Sequence, residues 1–313
     1  MNFSGLYGNE PAKEMLRNLR AEGRFPQALI LQGESGCGKR TFARRIAQAL
    51  VCTGDGARPC GRCAACRKSM AGGHPDILFV DGGSKPRGFG VDLVRSVRTD
   101  VRIRPNEADR KVYILAQAHN MTEQAQNALL KILEEPPGYA VFLLTCESAQ
   151  QLLSTVRSRC MTLTLSGVSA GDAMRACALL CPDAAPEQLE DACRLWNGNI
   201  GRMAASLADG EVTRAHLLCG DLLTALTDPA ETALLIAAAP LIKDKNLCRT
   251  VCTMLRGRFI AGMSGRQTLA LTPAQCAGCC DAVTQALAAM DRYANQTLTV
   301  TLLCASMRRA FGK

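Results

Sequence analysis

No stretch of these 313 residues reaches the roughly 18 unbroken apolar side chains of a membrane span. The opening residues, Met1-Asn-Phe-Ser-Gly-Leu-Tyr7, lack the basic start and apolar run of a secretion signal, so the expected setting is the cytoplasm, away from membranes. There is no internal repeat and no low-complexity tail. A disulfide framework is also disfavoured: the 17 cysteines are an odd number in a chain without a signal. Cys146, Cys177, Cys193, Cys219, Cys248, Cys252 and Cys304 fall singly at apolar positions and read as small buried hydrophobes. Cys276, Cys279 and Cys280 cluster on a helical run without a fourth close partner, which fits core packing better than metal binding.

Apolar material is ample, at 48% hydrophobic residues with a mean hydropathy of +0.02. At this length about two to three domains are expected. Thirty-seven Lys+Arg against 28 Asp+Glu leave a net charge of +9, which favours a polyanionic partner such as nucleic acid without requiring one.

One stretch organises the chain: Leu29-Ile-Leu-Gln-Gly-Glu-Ser-Gly-Cys-Gly-Lys-Arg-Thr-Phe-Ala43. It reads as strand, glycine loop, helix. Gly33, Gly38 and Lys39 fit the phosphate-binding pattern G-x-x-x-x-G-K-[ST]. In that pattern backbone N–H groups and a helix start cradle phosphates while the lysine neutralises them. The hydroxyl that should hold Mg²⁺ is missing, because Arg40 stands there. A second gap is independent of the first. The strand Lys111-Val-Tyr-Ile-Leu-Ala-Gln-Ala should end in acidic residues for the metal and the attacking water. It has Ala116 and Gln117, and no acidic residue lies between Arg110 and Met121. No Mg²⁺ site is expected, and ATP or ADP binding is left open, since Lys39 and the cradle remain.

Between the loop's helix and the next strand comes Cys52-x7-Cys60-x2-Cys63-x2-Cys66. C-x2-C spacing lets two thiolates meet one tetrahedral ion, and Zn²⁺ with four sulfurs makes a closed, structural site. Arg58, Arg62, Arg67 and Lys68 would offset its negative charge. An iron–sulfur cluster and four unrelated cysteines are the alternatives. His74, nearby, reads as the entry to a strand.

Pattern along the chain gives a helix from Pro11 to Arg20 with Met15, Leu16 and Leu19 on one face, and a helix from Thr41 to Cys52 with Phe42, Ile46, Leu50 and Val51 toward the core. Val91 to Val101 is helical, with Val91, Leu93, Val94, Val97 and Val101 apolar. Arg95, Arg98 and Arg102 form a basic side that is either a solvated face or a phosphate-contacting one. Met121 to Glu135 is a helix capped by Asn120 or by Thr122, and Pro136-Pro-Gly stops it. Tyr139 to Thr145 and Met161 to Leu165 are strands. Strands alternating with helices predict an α/β parallel-sheet domain over residues 1–166 carrying the insert at 52–66. Short helices follow over 167–207. Residues 208–313 read as all-α, with breaks at Pro229, Pro240 and Gly262-Met-Ser-Gly.

The glycine loop, the four-cysteine insert, Met121-Thr-x-x-Ala-Gln-Asn-Ala-Leu-Leu-Lys-x-Leu-Glu-Glu-Pro-Pro137, Ser158-Arg-Cys160 and Gly198-x-x-Gly-Arg202 together resemble bacterial clamp-loader subunits of the AAA+ class. The resemblance covers essentially the whole chain. It implies an AAA+ domain, a helical lid at 167–207 and an all-α collar at 208–313 that assembles with other subunits. It implies that Cys52, Cys60, Cys63 and Cys66 are zinc ligands, that Arg159 is an arginine finger reaching a neighbour's ATP, and that Arg202 is the lid's sensor arginine. It puts Arg95 and Arg98 on the helix facing the central duplex. Gly33, Gly38, Lys39, Arg40 and Thr41 form the nucleotide loop, here eroded. The implied partners are motor subunits and a clamp-opening subunit in a hetero-oligomeric ring, the sliding clamp and primer–template DNA. Motor subunits of the family keep complete nucleotide motifs; this chain does not.

Two rival functions follow from the same residues. In an active motor, Thr41 would have to replace the missing hydroxyl from about 100° further round the helix. Alternatively, the chain is a zinc-dependent nucleic-acid-binding protein outside any ring.

Overall fold

A computed structural model describes residues 1–83, 89–230, 232–264 and 270–312. The chain divides into two compact units, Met1–Ser169 and Ala170–Lys313.

The first unit is built on a parallel sheet. In chain order its elements are α1 (Glu10–Ala21), β1 (Ala28–Gln32), α2 (Lys39–Val51), α3 (Ala64–Met70), β2 (Ile77–Asp81), α4 (Val91–Asp100), β3 (Lys111–Ala116), α5 (Glu123–Glu134), β4 (Ala140–Cys146), α6 (Ser154–Arg157) and β5 (Met161–Thr164). The five strands lie in the order β2-β3-β4-β1-β5, every pair parallel. The central strands β1, β3 and β4 are short continuous apolar runs because both faces are covered. Alternate residues serve opposite faces. Ile30, Tyr113, Phe142 and Leu144 pack with Val94 and Val97 of α4 and Leu129 and Ile132 of α5. Leu29, Leu31, Ile114 and Leu143 pack with Phe42, Ile46 and Ala47 of α2. The register Ile30↔Leu144 and Leu29↔Met161 places the C-terminal ends of β1, β4 and β5 together, beside the glycine loop.

The structure sharpens several expectations. Pro11 occupies the second helical position, because α1 begins at Glu10. Met15 is exposed, leaving Leu16 as the fully buried anchor of that helix. Leu93 is also exposed, since α4 buries only its Val94–Val97 side. Thr122 caps α5, accepting from the Ala125 N–H at 3.1 Å. Asn120 instead lies in a 3₁₀ turn and donates its amide to the Gly83 carbonyl. The cysteine insert contains a helix of its own, α3, whose N-cap is the Cys63 thiol.

The second unit is helical among its described residues: α7 (Ala170–Leu180), α8 (Pro186–Trp196), α9 (Ile200–Ala208), α10 (Glu211–Thr227), α11 (Ala233–Lys243), α12 (Lys245–Met263), α13 (Pro273–Asp291) and α14 (Gln296–Phe311). Pro240 does not break α11 but sits inside its last turn. It has no N–H to give there, and the carbonyl that bond would have used belongs to Ile236, an exposed residue. Cys276 and Cys279 are buried, and the Cys279 thiol donates to the Met307 carbonyl of α14 at 3.8 Å, as core packing predicts. A buried ionic knot holds three helices together. Asp191 of α8 accepts from Arg258 of α12 at 2.7 Å and lies 2.7 Å from His216 Nδ1 of α10.

Candidate functional site

The glycine loop leaves β1 and turns into α2. Gly33 is obligatory: a Cβ there would stand 2.1 Å from the Leu165 carbonyl oxygen. Gly38, at φ +90°, takes the left-handed conformation that begins α2, and no side chain caps that helix start. Within the loop the Gly33 N–H donates to the carbonyls of Cys146 and Glu147, and the Cys37 N–H to that of Glu34.

The charged groups are committed elsewhere. Lys39 Nζ folds back and donates to the carbonyls of Gly33 and Glu34, the latter at 2.7 Å. Arg40 pairs with Asp81 at the end of β2, Nη2 to Oδ2 at 2.7 Å. Gln117 donates its amide to the other oxygen of Asp81 at 3.0 Å. Gln117 itself has φ 56°, and its backbone N–H donates to the buried Thr145 hydroxyl of β4 at 3.0 Å. So a guanidinium takes the place where the motif holds a metal-binding hydroxyl, and an acid from a different strand neutralises it. Asp81 escaped the sequence reading; it closes an apolar run, and nothing in the spacing ties it to Arg40. Thr41 is exposed on the first turn of α2. Burial holds the His119 imidazole below its ordinary pKa, against the opposing pull of Glu147, so it brings no further cation at neutral pH. Burial likewise raises the Cys37 thiol within the loop.

A second feature lies on the link between α6 and β5. Arg159 Nη2 meets Glu134 Oε1 at 2.8 Å, and Nη1 donates to the Thr155 carbonyl at 2.9 Å and to Ser158 Oγ at 3.4 Å. Its side chain is 36% exposed. Cys160 beside it is a packing residue, its thiol pushed up to about 12 by burial.

The third feature is the insert. The sulfurs of Cys52, Cys60, Cys63 and Cys66 all lie within 4.8 Å of one another. Cys52 and Cys63 are 3.9 Å apart, and Cys60 and Cys66 are 4.0 Å apart. Four tetrahedral sulfurs about 2.3 Å from one ion would be about 3.8 Å apart, so the set fits a closed S₄ metal site. Backbone N–H groups point at three of the sulfurs: Cys60 to Cys52, Cys63 to Cys60 and Cys66 to Cys63, at 3.3–3.4 Å. Burial pushes the Cys63 thiol up, yet the N–H groups of Cys66 and Thr53 outweigh it and bring Cys63 down to about 5. His74 is buried with Nδ1 accepting from the Asp76 N–H, and it is not part of the sulfur cluster.

The remaining predicted residues are dispersed. Arg95 and Arg98 are both exposed on α4, Arg95 paired with Asp92 at 3.0 Å. Arg202 lies in the second unit at the start of α9, its guanidinium 5.4 Å over the Trp196 ring and its N–H capped by Asn199.

A parallel sheet ordered β2-β3-β4-β1-β5, with a glycine loop between its β1 strand and α2, defines the class: an AAA+ P-loop fold, here with Arg40, Ala116 and Gln117 at the positions where the motifs place a hydroxyl and acids. Residues 8–169 match the family described as DNA polymerase III, delta subunit. The chain belongs to that family, within the clamp-loader AAA+ class. It is 35% identical over 167 residues to DNA polymerase III subunit tau of Salmonella typhimurium, covering 53% of this chain and 26% of the relative. It is 36% identical over 148 residues to DNA polymerase III subunit delta' of Haemophilus influenzae, covering 46% of this chain and 44% of the relative. The chain thus spans less than half the length of these relatives. Among solved structures, a gamma subunit-related protein of Thermotoga maritima overlaps 94% of this chain and 99% of its own at a TM-score of 0.44 and 17% identity. No helix among the described residues is long and apolar enough to cross a membrane.

Proposed function

We propose that this chain is a delta-prime-like subunit of the DNA polymerase III clamp loader, a non-hydrolysing AAA+ protein that acts on a neighbour's nucleotide. The observation that carries this reading is the Arg40–Asp81 ion pair beside Ala116 and Gln117. A guanidinium and a carboxylate neutralise each other where a metal-dependent ATPase needs a hydroxyl, an acid and a divalent ion. Lys39, turned onto the loop's own carbonyls, serves the loop's shape.

Arg159 then supplies the chemistry. In trans, its charge would stabilise the phosphoryl group transferring at an adjacent motor subunit's site. Residues 167–207 act as a lid, with Arg202 as the residual sensor arginine, and residues 208–313 as the collar that joins motor and clamp-opening subunits in a ring. That ring loads the sliding clamp onto primed DNA in the cytoplasm, with Arg95 and Arg98 toward the duplex. Cys52, Cys60, Cys63 and Cys66 hold a structural zinc ion that staples the insert and takes no part in catalysis.

Co-purification with the motor and clamp-opening subunits, with ATP hydrolysis measured with and without this chain, tests the proposal. The expected result is a defined hetero-oligomer whose DNA-stimulated turnover exceeds that of the motor subunits alone. Failure to join such a ring, together with salt-dependent DNA binding by the isolated chain, would favour a nucleic-acid-binding protein acting alone.

A further inference from the structure

We infer that Glu134 is the positioning residue for Arg159: it fixes the direction in which the guanidinium is offered to a neighbouring subunit. This deepens the proposed function and rests on the trans role given there to Arg159.

Glu134 is the last residue of α5, with Glu135 as the C-cap and Pro136-Pro137 following. A helix C-terminus carries the negative pole of the backbone dipoles, and a carboxylate there is disfavoured. The adjacent Glu135 adds a like charge. Local helix preferences therefore do not explain an acid at 134; its contact with Arg159 does. The pair joins two separate elements, the end of α5 and the segment after α6, across 25 residues of sequence.

The contact is a poor source of stability. Its two side chains are 36% and 48% exposed, and pairs in such settings contribute little. Its effect is directional. The Thr155 carbonyl and Ser158 hydroxyl hold one terminal nitrogen, and Glu134 holds the other. A guanidinium has five N–H donors in one rigid plane, so these three contacts fix the plane and leave two donors for a phosphate. A long, rotamer-rich side chain is thereby ordered before the neighbour's nucleotide arrives. Because Glu134 would touch neither the nucleotide nor the reacting atoms, it acts through Arg159.

The test is a double-mutant cycle in the reconstituted ring, with assembly checked by size-exclusion chromatography and ATP turnover resolved into kcat and KM. Glu134→Ala should lower kcat at the Arg159-dependent site about tenfold, inside the roughly 10²-fold range that misplacement costs, with KM little changed. Glu134→Asp should recover part of that loss. Arg159→Ala combined with Glu134→Ala should be no slower than Arg159→Ala alone. If Arg159→Ala slows the ring but Glu134→Ala leaves kcat unchanged or raises it, the positioning role fails while the trans role stands. If Glu134→Ala slows the Arg159→Ala ring further, the residue acts independently of Arg159 and the inference is overturned. If Arg159→Ala itself changes nothing, the trans role fails and this inference falls with it.

Discussion

Arg159→Ala is expected to leave this chain folded and the ring assembled, and to slow ATP hydrolysis at the neighbouring site by about 10³-fold or more. The expectation of normal folding rests on burial. The side chain is partly exposed, and its partners Thr155, Ser158 and Glu134 keep access to water once it is gone. The expected size of the kinetic effect rests on timing. A guanidinium delivered to the equatorial oxygens stabilises charge that develops only in the transition state, so its loss falls on kcat more than on KM. A ring with several nucleotide sites should therefore lose one site's turnover and keep the others. Single-turnover hydrolysis in rings carrying wild-type or Arg159→Ala chain measures this directly. Equal rates in correctly assembled rings would count against the trans role.

The second large effect concerns the insert. The purified chain is expected to hold one equivalent of zinc through dialysis, and Cys63→Ser to lose it. Structural zinc contributes on the order of 10 kcal/mol at pH 7 in small modules. Here that free energy would act on a segment with little apolar core of its own. Only Cys52, Pro59, Ala65 and Cys66 of residues 52–66 are buried. Removing the ion would leave the parallel sheet in place while the insert opens, because the sheet is held by the packing of Leu29, Leu31, Phe42 and Ile46. Hydrogen exchange with and without chelator separates the two regions: fast exchange confined to residues 52–73 is expected. Metal analysis that finds iron, or no metal at all, would contradict the zinc assignment.

How much of this could be read from the sequence varies with the physics of each part. The strands of the first unit were legible because strands buried on both faces become short apolar runs, such as Lys111–Ala116 and Ala140–Cys146. The cysteine cluster was legible because C-x2-C spacing is local, and the structure brings the four sulfurs together. The helix inside the insert was not: seven residues, Ala64–Met70, are too few to show a period, and the cap is a cysteine. Pattern marks Leu93 and Met15 as apolar but not which way they face, and an apolar residue at the edge of a helical face can be turned to solvent at small cost. Pro240 lies within α11 and does not end it: in the last turn a proline forfeits a single helical hydrogen bond, here the one to Ile236, an exposed residue. The contacts that give the sites their character, Arg40 with Asp81 and Arg159 with Glu134, span 41 and 25 residues of sequence and join separate elements. The substitution at position 40 was visible in the motif, but its partner was not.

That partner changes the view of the loop. An eroded motif alone could be a weakened ATPase. A motif in which Arg40 is neutralised by Asp81, and Gln117 is turned onto that same carboxylate, is an internally satisfied structure. Restoring a serine at position 40 would still leave Ala116 and Gln117 where the metal ligand and water-orienting acid belong.

The most direct measurement is steady-state ATP hydrolysis by the purified chain alone, with Mg²⁺ and without motor subunits, for the native sequence and for Lys39→Ala. A subunit that completes a neighbour's site and hydrolyses nothing itself gives no turnover above the protein-free rate in either form. Turnover by the native chain that Lys39→Ala abolishes would contradict it, and would make this loop a working ATPase site despite Arg40.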